Sequence, residues 1–136
     1  MLIAIAYVIM SMFGSVDGHY GDFMSMYIKD PIETTITDEA RRDLALKELG
    51  SIKDEIKDFN KNVLQDIKQL NNLVKDYDSK PEDFDSMYSS ILANNKKNLD
   101  DVWKLRSAML THIHVDEWQT IINSAKAKEE KETNKK

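Results

Sequence analysis

The residues best equipped for chemistry stand close together late in the chain: His112 and His114, then Asp116 and Glu117. Imidazole and carboxylate side chains together make a metal site, or a pH-responsive one because histidine titrates near neutrality. The spacing does not favour a metal. Helical zinc ligands stand three or four residues apart, whereas His-x-His turns both rings to one side only in extended backbone. No cysteine is present to complete a tetrahedral site, and His19 is distant in sequence. His112, His114 and Asp116 are therefore secondary metal candidates, the main expectation is structural or solvent-facing histidines, and no cofactor is implied.

Five other residues are candidates for interaction. Arg106 falls in an apolar helical seam, where a charge needs either a partner, with Glu48 and Glu55 within reach across a hairpin, or a wet head on a packed stem. Arg41 and Arg42, followed by Asp43, read as a solvated helix start or as a contact for a partner or lipid. Asn95 interrupts the same seam as Arg106, and a polar seam residue sets register or loosens a layer. Trp118 opens a late amphipathic segment. Met10, Met12, Met24, Met26, Met87 and Met109 suit lipid-facing and core positions better than soft-metal ligation. No carboxylate pair, nucleophile with its base, or Gly-rich loop can be placed on a cleft, so the expectation is a non-enzymatic protein. A net charge of −5 and a pI near 5.2 argue against nucleic acid.

The elements that would hold these residues begin with an uncharged run, Met1 to Val16. It is apolar around its whole circumference and would rise about 24 Å as a helix, short of the ~30 Å hydrocarbon core of a bilayer. Tyr20, Phe23, Met24, Met26, Tyr27 and Ile28 could extend it at headgroup depth. An uncleaved anchor is the leading expectation. A cleaved signal lacks its basic flank, since the first cation is Lys29, and a buried helix of a soluble protein is the third reading. The cation-poor flank from Asp17 to Thr37 places the bulk of the chain outside the cytoplasm.

The composition of the whole chain, 32% charged with 4 Gly and 2 Pro, is that of long helices with few turns. Thr37 before Asp38 and Glu39 predicts a helix start. From there Leu49, Ile52, Ile56, Phe59, Val63, Ile67, Leu70, Val74 and Tyr77 form a coiled-coil seam with one stutter between Val63 and Ile67. Asp78 to Glu82 predicts the break, with Ser79 as cap, Glu82 as its capping-box partner and Pro81 in the first turn. A second seam follows through Phe84, Met87, Tyr88, Ile91, Leu92, Leu99, Val102, Trp103, Met109 and Ile113. So short a connection makes the two helices antiparallel, with Ile56 opposite Val102 and Leu70 opposite Tyr88. A short third helix starts near Trp118. The predicted fold is all-α: an anchor or signal at 1–16, a juxtamembrane linker at 17–36, a helical hairpin domain at 37–125 and a disordered charged tail at 126–136.

Two segments, Ile36-Thr37-Asp38-Glu39 and Ile113-His114-Val115-Asp116-Glu117-Trp118, resemble the Leu-Thr-x-x-Gln helix start of the Spy and CpxP-like periplasmic stress proteins, which include heavy-metal-resistance sensors. Ala40 and Glu117 stand where that motif has glutamine, and His114 where it has its second threonine. The chain is also similar to uncharacterised membrane-anchored bacterial proteins with a basic pair at the start of a long helix and an acidic-Trp restart. The first resemblance implies a chaperone or stress accessory without catalysis. The expected function is a membrane-tethered envelope module for protein interaction or stress response, in the periplasm, with an unidentified envelope protein as partner and homo-oligomerisation left open. Two alternatives are a single-span structural subunit of a membrane complex and a metal- or pH-responsive sensor accessory.

Overall fold

The computed structural model describes residues 25–134, and every regular element among them is helical. A π-helical turn, Ser25–Lys29, runs directly into α1 (Asp30–Thr35); α2 (Glu39–Lys75), α3 (Pro81–Leu110) and α4 (Val115–Thr133) follow. The anchor expected at 1–16 lies outside the described residues, among which no helix is long and apolar enough to cross a membrane.

Local chemistry fixes each boundary. Asp38 has extended backbone and its Oδ1 accepts the Arg41 N–H at 2.9 Å, so the cap of α2 is Asp38 and not Thr37. A carboxylate here both satisfies an orphan amide and complements the positive end of the helix dipole. With no proline inside it, α2 continues for 37 residues, about 55 Å. At the far turn the cap is Lys80, whose N–H donates to Asp83 Oδ2 at 2.9 Å, while the Ser79 hydroxyl finds no hydrogen-bond partner among the described residues. The predicted Ser79 and Glu82 pair is thus displaced by one residue. Pro81 takes the first helical position, where its missing N–H is harmless, and this moves the cap to 80 and the carboxylate to 83.

The pairing of α2 with α3 is antiparallel and at the expected level. Ile56 and Phe59 share a cavity of about 30 Å3 with Asn98, Leu99 and Val102, and towards the turn Asp66, Gln69, Asn72 and Leu73 share a groove with Met87 and Ser90. The seam itself differs from the apolar pattern. On α2 its covered positions run Ile52, Ile56, Phe59, Val63, Asp66 and Leu73, a heptad spacing that takes in Asp66 where a stutter would have taken Ile67 and passes over Leu70, which is 42% exposed. On α3 they run Tyr88, Ile91, Asn95, Asn98, Val102, Leu105 and Met109. A sustained heptad keeps one line of each helix against the other, and hydrophobicity off that line stays outside. Leu92, Leu99 and Trp103 are 44%, 46% and 61% exposed.

The core is concentrated at the open end of the hairpin, here called the base. Ile28, Ile32 and Ile36 from the N-terminal segment meet Ala45, Leu49, Ile52 and Ile56 of α2, Met109 and Ile113 at the end of α3, and Ile121 of α4. Ile32 and Ile121 are wholly buried, each contributing about 1.5–3 kcal/mol. Two boundaries change as a result. The linker assigned to 17–36 is helical from Ser25 onward, and Tyr27 and Ile28 are buried in protein and not set at headgroup depth. The tail assigned to 126–136 is helix as far as Thr133, because α4 packs along α1 and the π-helical turn. Lys128 Nζ holds Asp30 Oδ2 at 2.8 Å across that contact and keeps the Asp30 carboxyl below its ordinary range.

Candidate interaction surface

The break between α3 and α4 turns its polar atoms inward to make a clasp. Glu117 reaches back from the first turn of α4 to accept the His114 N–H at 2.8 Å, the spacing of a capping box. Both its oxygens also accept from Arg41, Nη1 to Oε2 and Nη2 to Oε1, each at 2.8 Å, and Nη1 donates in addition to the His112 carbonyl at 3.0 Å. Hydrogen bonds from Arg41 outweigh the opposing effect of burial and, with the His114 N–H, hold the Glu117 carboxyl down to about 2. The result joins the start of α2 to the start of α4.

The histidines thus serve through their backbone. The His114 ring nitrogen Nδ1 lies 3.9 Å from Glu117 Oε2, Asp116 is exposed, and no group of three potential ligands that could hold a metal ion occurs among the described residues. Glu117, present in the sequence cluster only as one more acid, is the residue that organises it. Its place three after His114 was the readable signal.

Arg106 finds neither Glu48 nor Glu55. Its guanidinium carbon sits 5.3 Å from the Trp103 ring centre and 5.9 Å from that of Trp118, two cation–π contacts that need no carboxylate. This brings the candidates Arg106 and Trp118 together at the base and adds Trp103. Arg41 belongs to the clasp, Arg42 is half-buried beside it, and Asn95 is half-buried in the seam well away from both. Asn98, three residues beyond Asn95, carries no signal in the apolar pattern. It is buried, and its Nδ2 has no hydrogen-bond partner among the described residues.

The broadest unsatisfied feature is apolar. Leu46, Leu49, Ile52 and Ile56 are covered at the base, with Leu49, Ile52 and Ile56 no more than 6% exposed. Eighteen residues is five full helical turns, and adding it to each of the four gives Leu64, Ile67, Leu70 and Val74. These stand on the same lines of α2, yet they are 49%, 36%, 42% and 68% exposed. Leu99 lines a cavity with Ile56, so the α3 stripe of Leu92, Leu99 and Trp103 lies on the same side of the hairpin. One face of α2 is therefore apolar along its length, closed over at the base by the N-terminal segment and open in the outer arm. No protein-family model, curated protein or solved structure matches the chain.

Proposed function

We propose that this chain is a non-enzymatic, membrane-tethered helical module of the bacterial envelope, working outside the cytoplasm by interaction with a partner or as a stress accessory. What supports the reading is the open apolar face of the outer arm, from Leu64 to Val74 with Leu92 and Leu99 beside it. A continuous stripe of large side chains left in water is the mark of a docking surface. The base supplies the complement, a core that holds the arm out, and the Spy-like resemblance of the two helix starts agrees with an accessory of this kind. The tether is the apolar segment 1–16.

The test is a photo-crosslinking residue placed at Val74 or Leu92, on the face, and at Asp58, off it, in the full chain expressed in cells. Adducts specific to the face positions are expected. Equal adducts from Asp58, or none from any position, would overturn the reading. A reporter fused after Lys136 is expected to be active outside the cytoplasm, and cytoplasmic activity would overturn the placement.

A further inference from the structure

We infer that the open apolar face of the hairpin docks on an anionic lipid surface, so that the arm lies against the membrane instead of projecting from it. This rests on the reading of that face as a docking surface and names its partner.

Two independent observations carry it. The first is charge. Lys57, Lys61, Lys68 and Lys75 follow one another at intervals of four, seven and seven residues, which keeps them on one edge of α2, beside Leu64 and on the side away from α3. All four are exposed, and among the described residues none forms an ion pair. Between Lys57 and Lys75 the helix has only two acids, Asp58 and Asp66. Asp66 lies in the seam and Asp58 flanks the row three residues before Lys61, so from Lys61 to Lys75 the edge itself carries only lysine charge. The α3 edge is mixed, with Asp85 exposed and Lys96 bonded to Asp100 at 2.7 Å. An apolar stripe with leucine, isoleucine and tryptophan, bordered by free lysines, is the pattern of a helix that lies in a headgroup layer.

The second observation is where the chain enters. Three residues, 36–38, join α1 to α2, and both α1 and the π-helical turn before it pack on α2. The N-terminal segment therefore runs back along α2, and Ser25 lies up to about 16 Å further towards the turn than Ile36. The segment's Ile28, Ile32 and Ile36 share one core with Leu49 and Ile56, whose line on α2 continues into Ile67 and Val74. The helical turn that begins at Ser25 therefore lies on the apolar side of α2. A segment such as Met1 to Val16 held in a bilayer would bring that side to the lipid. The geometry selects the face, and the lysines select the headgroup charge.

The experiment exploits the absence of cysteine from the chain. A single cysteine carrying an environment-sensitive fluorophore is placed at Val74, or at Asp58 as the off-face control, in the full protein reconstituted into vesicles. The vesicles are phosphatidylcholine alone or phosphatidylcholine mixed with phosphatidylglycerol, with and without acyl chains brominated as quenchers. Quenching at Val74 and not at Asp58, and only with phosphatidylglycerol, is expected. Replacing Lys61, Lys68 and Lys75 together by Gln is expected to lower the docked-to-free ratio by about fivefold per lysine, the equivalent of about 1 kcal/mol each, and salt should do the same. Retained helix content in these surface variants establishes that they fold. A Val74 label equally quenched in both lipid mixtures, or in neither, overturns the proposal. So does proximity between labels on two copies, which would make a second chain the occupant. Adducts to an envelope protein at Val74 without lipid quenching would overturn the lipid proposal and leave the docking face standing. Neither adducts nor quenching removes both.

Discussion

Glu117→Gln keeps the shape of the clasp and removes its charge, which makes it the cleanest probe of what holds α4 to α2. A carboxyl held at about 2 instead of its ordinary 4.5 corresponds to at most about 3 kcal/mol of folding free energy. Arg41 and Glu117 keep 26% and 14% of their side-chain surface in water, and screening there brings the working figure to about 1–2 kcal/mol. At about 4 °C per kcal/mol for a chain of this size, the variant should melt about 4–8 °C below wild type at neutral pH. The sign with pH follows from the direction of the shift. Because the folded pKa lies below the unfolded one, the contribution is present in full above about 4.5 and is lost as the pH falls towards 2. The assay is thermal unfolding followed by far-UV circular dichroism for wild type and Glu117→Gln across that range. The gap between the two should close on acidification, and Arg41→Lys, which cannot fork across both oxygens, should lie between them at neutral pH. A gap that stays constant from neutral pH to near 2, or no gap at all, would refute the assignment of the clasp as a charge-dependent lock.

Three further outcomes are expected. Ile121→Ala, at a site with no exposed surface, should cost about 2–5 kcal/mol in urea unfolding, whereas Val74→Ala in the outer arm should cost under about 1; similar costs would show that the core is not confined to the base. Asn98→Leu should gain about 1–2 kcal/mol, because it removes a buried amide without a partner and fills the adjoining cavity; a loss would mean that the amide is needed for register. Cysteines at Leu73 and Met87, which line one groove, should form a disulfide within one chain on mild oxidation, and exclusively intermolecular disulfides would indicate an open, dimeric coiled coil.

The two long helices, the turn between them and the level of their pairing were legible in the sequence because each has a local cause: apolar periodicity, the strong break at Asp78 to Glu82, and a connection too short for anything but an antiparallel return. The seam was less so. Hydrophobicity marked Ile67, Leu92 and Trp103 as inward, but the backbone keeps one heptad line, and Asp66, Asn95 and Asn98 lie on it. Burial raises the Asp66 carboxyl above its ordinary value, a cost that composition does not disclose. Residues from Ser25 to Thr35 looked like a membrane flank because apolar and aromatic side chains suit headgroups and protein cores equally, and only the presence of α4 decides between them. The clasp needed a partner 76 residues away, beyond any local pattern. Arg106 stands in the sequence as a charge in need of a carboxylate or of water, and its partners are instead the rings of Trp103 and Trp118, which no charge pattern marks.

The concentration of the core at the base gives the outer arm a freedom of its own. Among the described residues the core shared with other elements ends at Ile56, and beyond Phe59 α2 pairs with α3. Adding or removing seven residues in each, on opposite sides of the turn, would preserve every facing pair on the base side and shift the tip by about 10 Å. Reach can thus vary between descendants of this sequence while the fold that supports it stays fixed. The arm is a ruler whose length is set by paired insertions.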